Sequence, residues 1–314
     1  MLVSAIVCAH SLKRRHDLEE AVASLLAQTH SDLEIIVVVD GDEELYRMVT
    51  ADYADAASVK AVLLEKNVGI SGARNAGVAE ALGEVIAFMD DDAVADRAWI
   101  ETLAATYERL HAVAVGGRVL PVWLSGEPEH LPPELYWLVG ATHEGFAGDG
   151  VCEVRNTFGP NMSFRRDVFE KVGGFNQNLG FSRRGTSYVQ AEEPEFALRM
   201  TKALGKAMVY NPDAIVYHKI TDSKTRVRTL LRRSFYQGYS KAWLKRHDVC
   251  GDPIATERAY LRMLLLKAVP VRLLRSYRPS ELKRLLLLMA SLVSVALGYA
   301  YGYCTERVAG WRKR

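Results

Sequence analysis

Leu33-Glu-Ile-Ile-Val-Val-Val39 is a β-branched run that stops at Asp40-Gly41. Apolar residues on both alternating faces read as a strand covered on both sides, the condition of a parallel sheet. Outward from it, Leu2 to Ala9 gives a first strand, Val62 to Leu64 a third and Val85 to Met89 a fourth. Helical spacing separates them, as in Asp17 to Ala27 with apolar Leu18, Val22, Leu25 and Leu26. The order β-α-β-α-β-α-β predicts an α/β fold with a mostly parallel central sheet flanked by helices. It also places the working residues beyond the carboxyl ends of the strands.

A chain of 314 residues, 49% hydrophobic and 25% charged, has material for a large folded domain plus an appendage. The net charge of +2 conceals a division near Ser223: residues 1–223 carry 20 Lys+Arg against 33 Asp+Glu, and residues 224–314 carry 20 against 5. The acidic front part argues against a nucleic-acid partner, and the basic rear part, interleaved with Leu, Tyr and Trp, suits an anionic membrane surface. Cys8, Cys152, Cys250 and Cys304 stand far apart, in neither a zinc motif nor a disulfide framework, which fits a reducing cytosol. Met1 runs straight into the first strand, so no export leader is expected.

Four loops follow the four strands: Ala9-His10, Asp40-Gly41-Asp42, Asn67-Val-Gly-Ile-Ser-Gly-Ala-Arg-Asn-Ala-Gly77 and Asp90-Asp91-Asp92. Three adjacent carboxylates repel one another unless a cation or hydrogen-bond donors compensate them. Mg2+ or Mn2+, held by a few oxygens and by substrate phosphates, would do so, pointing to a metal-bound diphosphate; a solvated loop or helix cap is the bland alternative. The glycines of residues 67–77 match neither the dinucleotide fingerprint nor the P-loop. Gly72 and Gly77 would let backbone approach a ligand or a helix pack closely, and Arg74 would hold a phosphate or a nearby carboxylate.

These segments, in this order, resemble the family 2 glycosyltransferases of GT-A fold over roughly residues 1–220. Downstream, Phe158-Gly-Pro-Asn-Met-Ser-Phe-Arg-Arg166, Val172-Gly-Gly-Phe175 and Ala191-Glu-Glu-Pro-Glu-Phe-Ala-Leu-Arg199 carry the same resemblance. It implies a nucleotide-sugar donor, with Asp40 at the base, Arg74 near ribose and phosphates, and Asp90 and Asp92 in the outer positions of the aspartate motif. Asp92 and Asp90 would ligate the metal with His218, from Val216-Tyr-His218; Asp91 and His10 would be neighbours in the donor site. Asn161 and Ser163 would touch the sugar. Inverting transfer needs a carboxylate to take the acceptor hydroxyl's proton. The family uses the second residue of a Glu-Asp pair, here Glu192-Glu193, so Glu193 would be the base and Glu192 the fallback. Glu195 reads as solvent-exposed or as a first-turn dipole contact. Residues 180–190 read as a loop covering the site, with Arg183 or Arg184 available to a sugar carboxylate or phosphate.

Residues 221–314 form a second expected region, helical and membrane-associated. Val227, Leu231, Phe235, Tyr239 and Trp243 recur every four residues among Arg and Lys, the pattern of a basic amphipathic helix in a membrane interface or docked on a protein. Residues 285–305 are 21 residues without a charge, against the roughly 20 that a span requires. Basic residues at both ends leave spanning, re-entrant and interfacial placements open. Nucleotide sugars are cytosolic, so the expected place is the cytoplasmic face of the cell membrane. The acceptor is expected to be a saccharide linked to polyprenyl or dolichyl phosphate, and the layout resembles archaeal glycan-assembly enzymes, glucuronosyltransferases included. The alternatives are transfer to polyprenyl phosphate itself, transfer to a bacterial-type surface polysaccharide, or a non-catalytic glycan-binding or assembly protein.

Overall fold

The β-branched runs are strands, and in the computed structural model they pair in parallel. The structure describes residues 1–180, 189–247 and 255–311. In chain order the first elements are β1 (Val3–Ala9), α1 (Arg15–Leu26), β2 (Leu33–Asp40), α2 (Glu43–Asp52), β3 (Val59–Leu64), α3 (Ile70–Glu80) and β4 (Val85–Asp90). Then come β5 (Ala93–Ala95), α4 (Trp99–Leu110), β6 (Ala114–Trp123), β7 (Cys152–Val154), β8 (Met162–Arg165), α5 (Arg166–Val172), α6 (Glu192–Leu204) and β9 (Met208–Ile220). The last are α7 (Asp222–Thr225), α8 (Val227–Arg246), α9 (Ala255–Met263), α10 (Val269–Leu274) and α11 (Pro279–Trp311).

The sheet runs β3-β2-β1-β4-β8-β6-β9-β5, with β7 beside β9. Its parallel part, β3-β2-β1-β4, is the α/β sheet expected from the sequence. Antiparallel strands extend it from β8 onward, and strand-helix alternation did not place these because an intervening helix does not fix whether the next strand runs parallel or antiparallel. Strand order reverses between β1 and β4, which opens a crevice beyond their carboxyl ends.

Successive residues of each strand feed opposite faces of the sheet. Val3, Ala5, Val7, Ile35, Val37 and Val39 pack on one side with Leu18, Val22, Trp99 and Leu103. Ile6, Ile36, Val38 and Phe88 pack on the other, joined by Phe164, Phe169, Phe175 and Phe196. Helix α3 reaches this second face because Gly77 lacks a side chain: a Cβ there would stand 2.6 Å from Ile6 Cγ2. Of the two uses the sequence allowed for Gly77, the structure has the packing one.

The chain divides into two compact units, Met1–Pro121 with Asp149–Ser187 and Glu192–Lys219, and Val122–Gly148 with Tyr188–Ala191 and Ile220–Arg314. Val122–Gly148 thus clusters with the C-terminal region and not with the part before residue 220, where the sequence reading put it. Inside the second unit a buried ion pair joins Arg272 to Glu134, and Arg272 Nη1 also donates to Glu281 at 2.8 Å. In α8 the four-residue apolar stripe starts exposed at Val227 and then meets α11. Ser294 of α11 donates to the Leu231 carbonyl at 2.7 Å, and Phe235 and Tyr239 pack against Tyr301. The middle of the apolar face that the sequence offered to a membrane, at Phe235 and Tyr239, is therefore covered by α11.

Candidate active site

The register of a short antiparallel pair builds the first part of the site. Asp90 closes β4, Asp91 and Asp92 turn, and β5 then pairs with β9 so that Ala93 lies opposite His218. The Lys219 amide donates to the Asp92 carbonyl at 2.9 Å. His218 Nε2 consequently lies 3.2 Å from Asp92 Oδ1, both residues being buried. Ligand atoms of Asp90, Asp92 and His218 lie within 4.8 Å of one another. Two hard carboxylates and an imidazole at that spacing fit a divalent ion of the magnesium or manganese kind.

Arg14 is the neighbour that sequence reasoning missed. Its Nη2 lies 2.9 Å from Asp91 Oδ1 and also pairs with Asp92 Oδ2. The compensation that three adjacent carboxylates demand is thus supplied partly by donors of the chain itself. The signal was available: Lys13-Arg14-Arg15 follows β1, on the edge where the other loops converge.

The second part is organised by Arg74, buried on α3. Its guanidinium lies 3.8 Å from Asp90, 3.8 Å from Glu192 and 3.5 Å from Glu193, with the Phe175 ring 5.6 Å away. Of the expected uses of Arg74, the structure has it holding carboxylates. Gly159 leaves room for this contact, since a Cβ there would meet Arg74 Nη2 at 2.6 Å and Glu193 Oε1 at 2.8 Å. Burial, with Glu193 beside it, pushes the Glu192 carboxyl up to about 8, and Arg74 opposes that rise. Burial likewise pushes the Cys8 thiol up to about 12, against the pull of Arg74, while the charges of Asp90, Asp91 and Asp40 add to the rise. Asp90 belongs to both groupings and makes them one site.

Asp40 is buried, and its carboxylate accepts the amides of Val68 at 2.8 Å and Gly69 at 3.0 Å. It ties down the start of α3; burial raises its carboxyl above the ordinary range although those amides and the nearby His10 lower it. His10 is exposed just past β1. Asp42 caps α2 by accepting the Leu45 amide. Glu195 is buried, not solvent-exposed, and holds Arg199 by two bonds of 2.9 and 3.0 Å.

Asn161 is a correction. It is fully buried, its amide nitrogen donates to the Arg118 and Ala214 carbonyls, and its oxygen accepts from Trp99 Nε1. With both amide hydrogens used and no atom exposed, this side chain does not face a sugar. Ser163 is equally buried, between Tyr107 and the Val115 carbonyl. Arg183 and Arg184 lie outside the described residues.

Residues 4–173 match the family described as Glycosyl transferase family 2. A relative from Haloferax volcanii named glucosyl-dolichyl phosphate glucuronosyltransferase is 42% identical over 313 residues, 98% of this chain and 98% of its own. The succinoglycan biosynthesis protein ExoO of Rhizobium meliloti is 27% identical over 256 residues, 77% of this chain and 68% of its own. The crystal structure of S. aureus TarS 1-349 superposes with a TM-score of 0.55 at 15% identity, covering 98% of this chain and 92% of that one. The same fragment in complex with UDP gives 0.50 at 16%.

Proposed function

Because the chain belongs to glycosyl transferase family 2, we propose that it is an inverting enzyme moving a hexuronic acid from a UDP-sugar to a saccharide on dolichyl phosphate, at the cytoplasmic face of the cell membrane. The observation that carries the reading is the placing of Arg74 within 3.8 Å of Asp90, Glu192 and Glu193 at once. That contact brings the aspartate motif and the expected base to one corner. The sugar and the lipid-linked acceptor are those in the printed name of the Haloferax volcanii relative, similar over 98% of both chains. UDP is the nucleotide held by the TarS fragment.

In the proposed reaction the acceptor hydroxyl oxygen forms a bond to the anomeric carbon as the bond from that carbon to the diphosphate oxygen breaks. Glu193, whose side chain keeps 22% of its exposure, takes the hydroxyl proton. Glu192, held protonated near neutrality by burial, adds no second negative charge beside it. Arg74 keeps the pair in place. Asp90, Asp92 and His218 would hold the divalent cation, which when bound neutralises the departing diphosphate. Membrane attachment confines the enzyme to the surface that holds its acceptor. The basic balance of residues 224–314 and the apolar α11 support that attachment.

The test is a donor screen with the purified full chain, following nucleoside diphosphate release and product mass. UDP-glucuronic acid, UDP-glucose and GDP-mannose are offered with glucosyl-dolichyl phosphate or with bare dolichyl phosphate. Turnover of UDP-glucuronic acid on the glucosylated lipid is expected. Equal turnover on the bare lipid would refute the saccharide acceptor, and no turnover with any donor would refute the reading as a whole.

A further inference from the structure

Helices α8 and α11 pack at backbone contact in a fixed register. Leu231 meets Ser294, Phe235 meets Gly298 and Tyr239 meets Gly302, a constant offset of 63 positions. Both sequences rise together, so the helices are parallel. A Cβ on Gly238 would stand 1.9 Å from the Val295 carbonyl oxygen, and one on Gly298 would stand 1.9 Å from that of Phe235. Neither helix can slide or tilt away from the other without losing this fit.

The register bears on how α11 meets lipid. Pro279–Thr305 has the length to cross a bilayer, and an 18-residue stretch within it has a mean hydropathy of 1.9. Yet Ser294, near the middle of the uncharged stretch 285–305, bonds to Leu231 of α8, whose chain neighbour Arg232 is exposed, as is Arg228 one turn earlier. Were α11 to cross, its partner would carry both guanidinium groups into the hydrocarbon, which has nothing to solvate them. Helix α11 nevertheless exposes Leu282, Leu286, Met289, Val293 and Leu297, one continuous apolar stripe that ends at Tyr301, whose ring borders Phe235 and Tyr239 of α8. Arg275 and Arg278 precede this helix, beside exposed Leu273, Leu274 and Tyr277.

We infer that α11 lies along the membrane surface and not across it, with its stripe at the acyl boundary of an anionic leaflet and α8 on the water side. The occupant of the stripe is lipid because cations surround it: residues 224–314 hold 20 Lys+Arg against 5 Asp+Glu. At a helix diameter from the surface, the α8 cations act on headgroups within about one Debye length. This inference rests on the membrane attachment proposed above and adds its geometry.

The experiment measures depth at three points of α11. An environment-sensitive fluorophore is placed on Cys304, on Leu286→Cys or on Val293→Cys, in full chains whose other thiols are removed by Cys8→Ala, Cys152→Ser and Cys250→Ser, with Cys304→Ser in the last two. Vesicles of phosphatidylcholine and phosphatidylglycerol carry nitroxide-labelled lipids, shallow or deep. Surface placement predicts that all three positions are quenched several-fold more by shallow than by deep nitroxides. Deep quenching at Val293→Cys, with shallow quenching at Leu286→Cys and Cys304, would show a span; it would overturn the inference and leave membrane attachment standing. Absence of quenching at all three would overturn the attachment itself, and light scattering would then report whether a second copy covers the stripe.

Discussion

Arg74 Nη1 stands 3.5 Å from Glu193 Oε1, and the same guanidinium also faces Glu192 and Asp90. A buried cation among three carboxylates is a structural necessity before it is anything else. Removing one partner of a buried ion pair costs about 3–5 kcal/mol, because the remaining charges are left unpaired. Arg74→Met is expected to lower unfolding stability by an amount at the lower end of that range, since Glu193 and Asp90 are partly solvated. Arg74→Lys, with the charge but not the fork, should restore part of it. Urea unfolding of the three proteins checks this; equal midpoints would remove Arg74 from its organising place.

Glu193→Gln keeps the shape of the side chain and deletes its basicity. Transfer is expected to fall on the order of 10²–10⁴-fold, the usual contribution of a positioned base. UDP binding, measured by calorimetry, should stay within about twofold, because the nucleotide is assigned to other residues. Unchanged turnover would move the base to another carboxylate.

A carboxyl group pushed up to about 8 in the folded chain, against 4.5 unfolded, ties stability to pH. The folded chain holds this proton more tightly, so the Glu192 contribution is fully present below pH 4.5 and is lost as pH rises through about 8. The slope is at most about 1.4 kcal/mol per pH unit inside that window. Glu192→Gln should flatten that part of the stability profile. Denaturant midpoints at pH 5, 7 and 9 are the measurement, and parallel profiles for both proteins would contradict it.

Asp90, Asp92 and His218 make a further prediction that does not depend on turnover. Mn2+ binding, followed by electron paramagnetic resonance in the presence of UDP, should weaken at least about tenfold in His218→Ala, the scale of losing a partner at a metal site. Asp92→Asn should weaken it further. Chelation with EDTA should abolish transfer, and added Mn2+ should restore it. Equal Mn2+ affinity in all three proteins would place the ion elsewhere.

At Gly298 two effects of opposite sign compete. Alanine is the better helix former by roughly 1 kcal/mol, but its Cβ would stand 1.9 Å from the Phe235 carbonyl oxygen. Overpacking of this kind costs about 1–3 kcal/mol, so Gly298→Ala is expected to lower the Tm. Gly126→Ala is not a clean control because of its positive φ of 87°; Gly148→Ala, with nothing within 4 Å, is, and should leave the Tm unchanged. A raised Tm for Gly298→Ala would mean that the helices are not locked together.

The parallel half of the sheet was legible because β-branched runs and 3.6-residue periods alternate from Val3 to Asp90, and with it the loop edge that holds Asp90, Asp92 and Arg74. His218 could be named but not placed, since its approach to Asp92 depends on the pairing of Ala93 with it across more than a hundred residues. Asn161 misled for the opposite reason: a polar residue in a motif reads the same whether it faces a ligand or satisfies buried carbonyls. In α8 the apolar spacing was read correctly, but spacing cannot say whether lipid or another helix covers it.

The glycines at the α8 and α11 contact also decide how this protein can be handled. A recombinant truncation ending before Pro279, the obvious way to shed a greasy tail, would uncover the small-residue groove around Ser234, Gly238 and Ala242 that α11 fills. Such a fragment would expose more sticky surface than it removed. Detergent or nanodisc preparations of the intact polypeptide are therefore the sounder starting material.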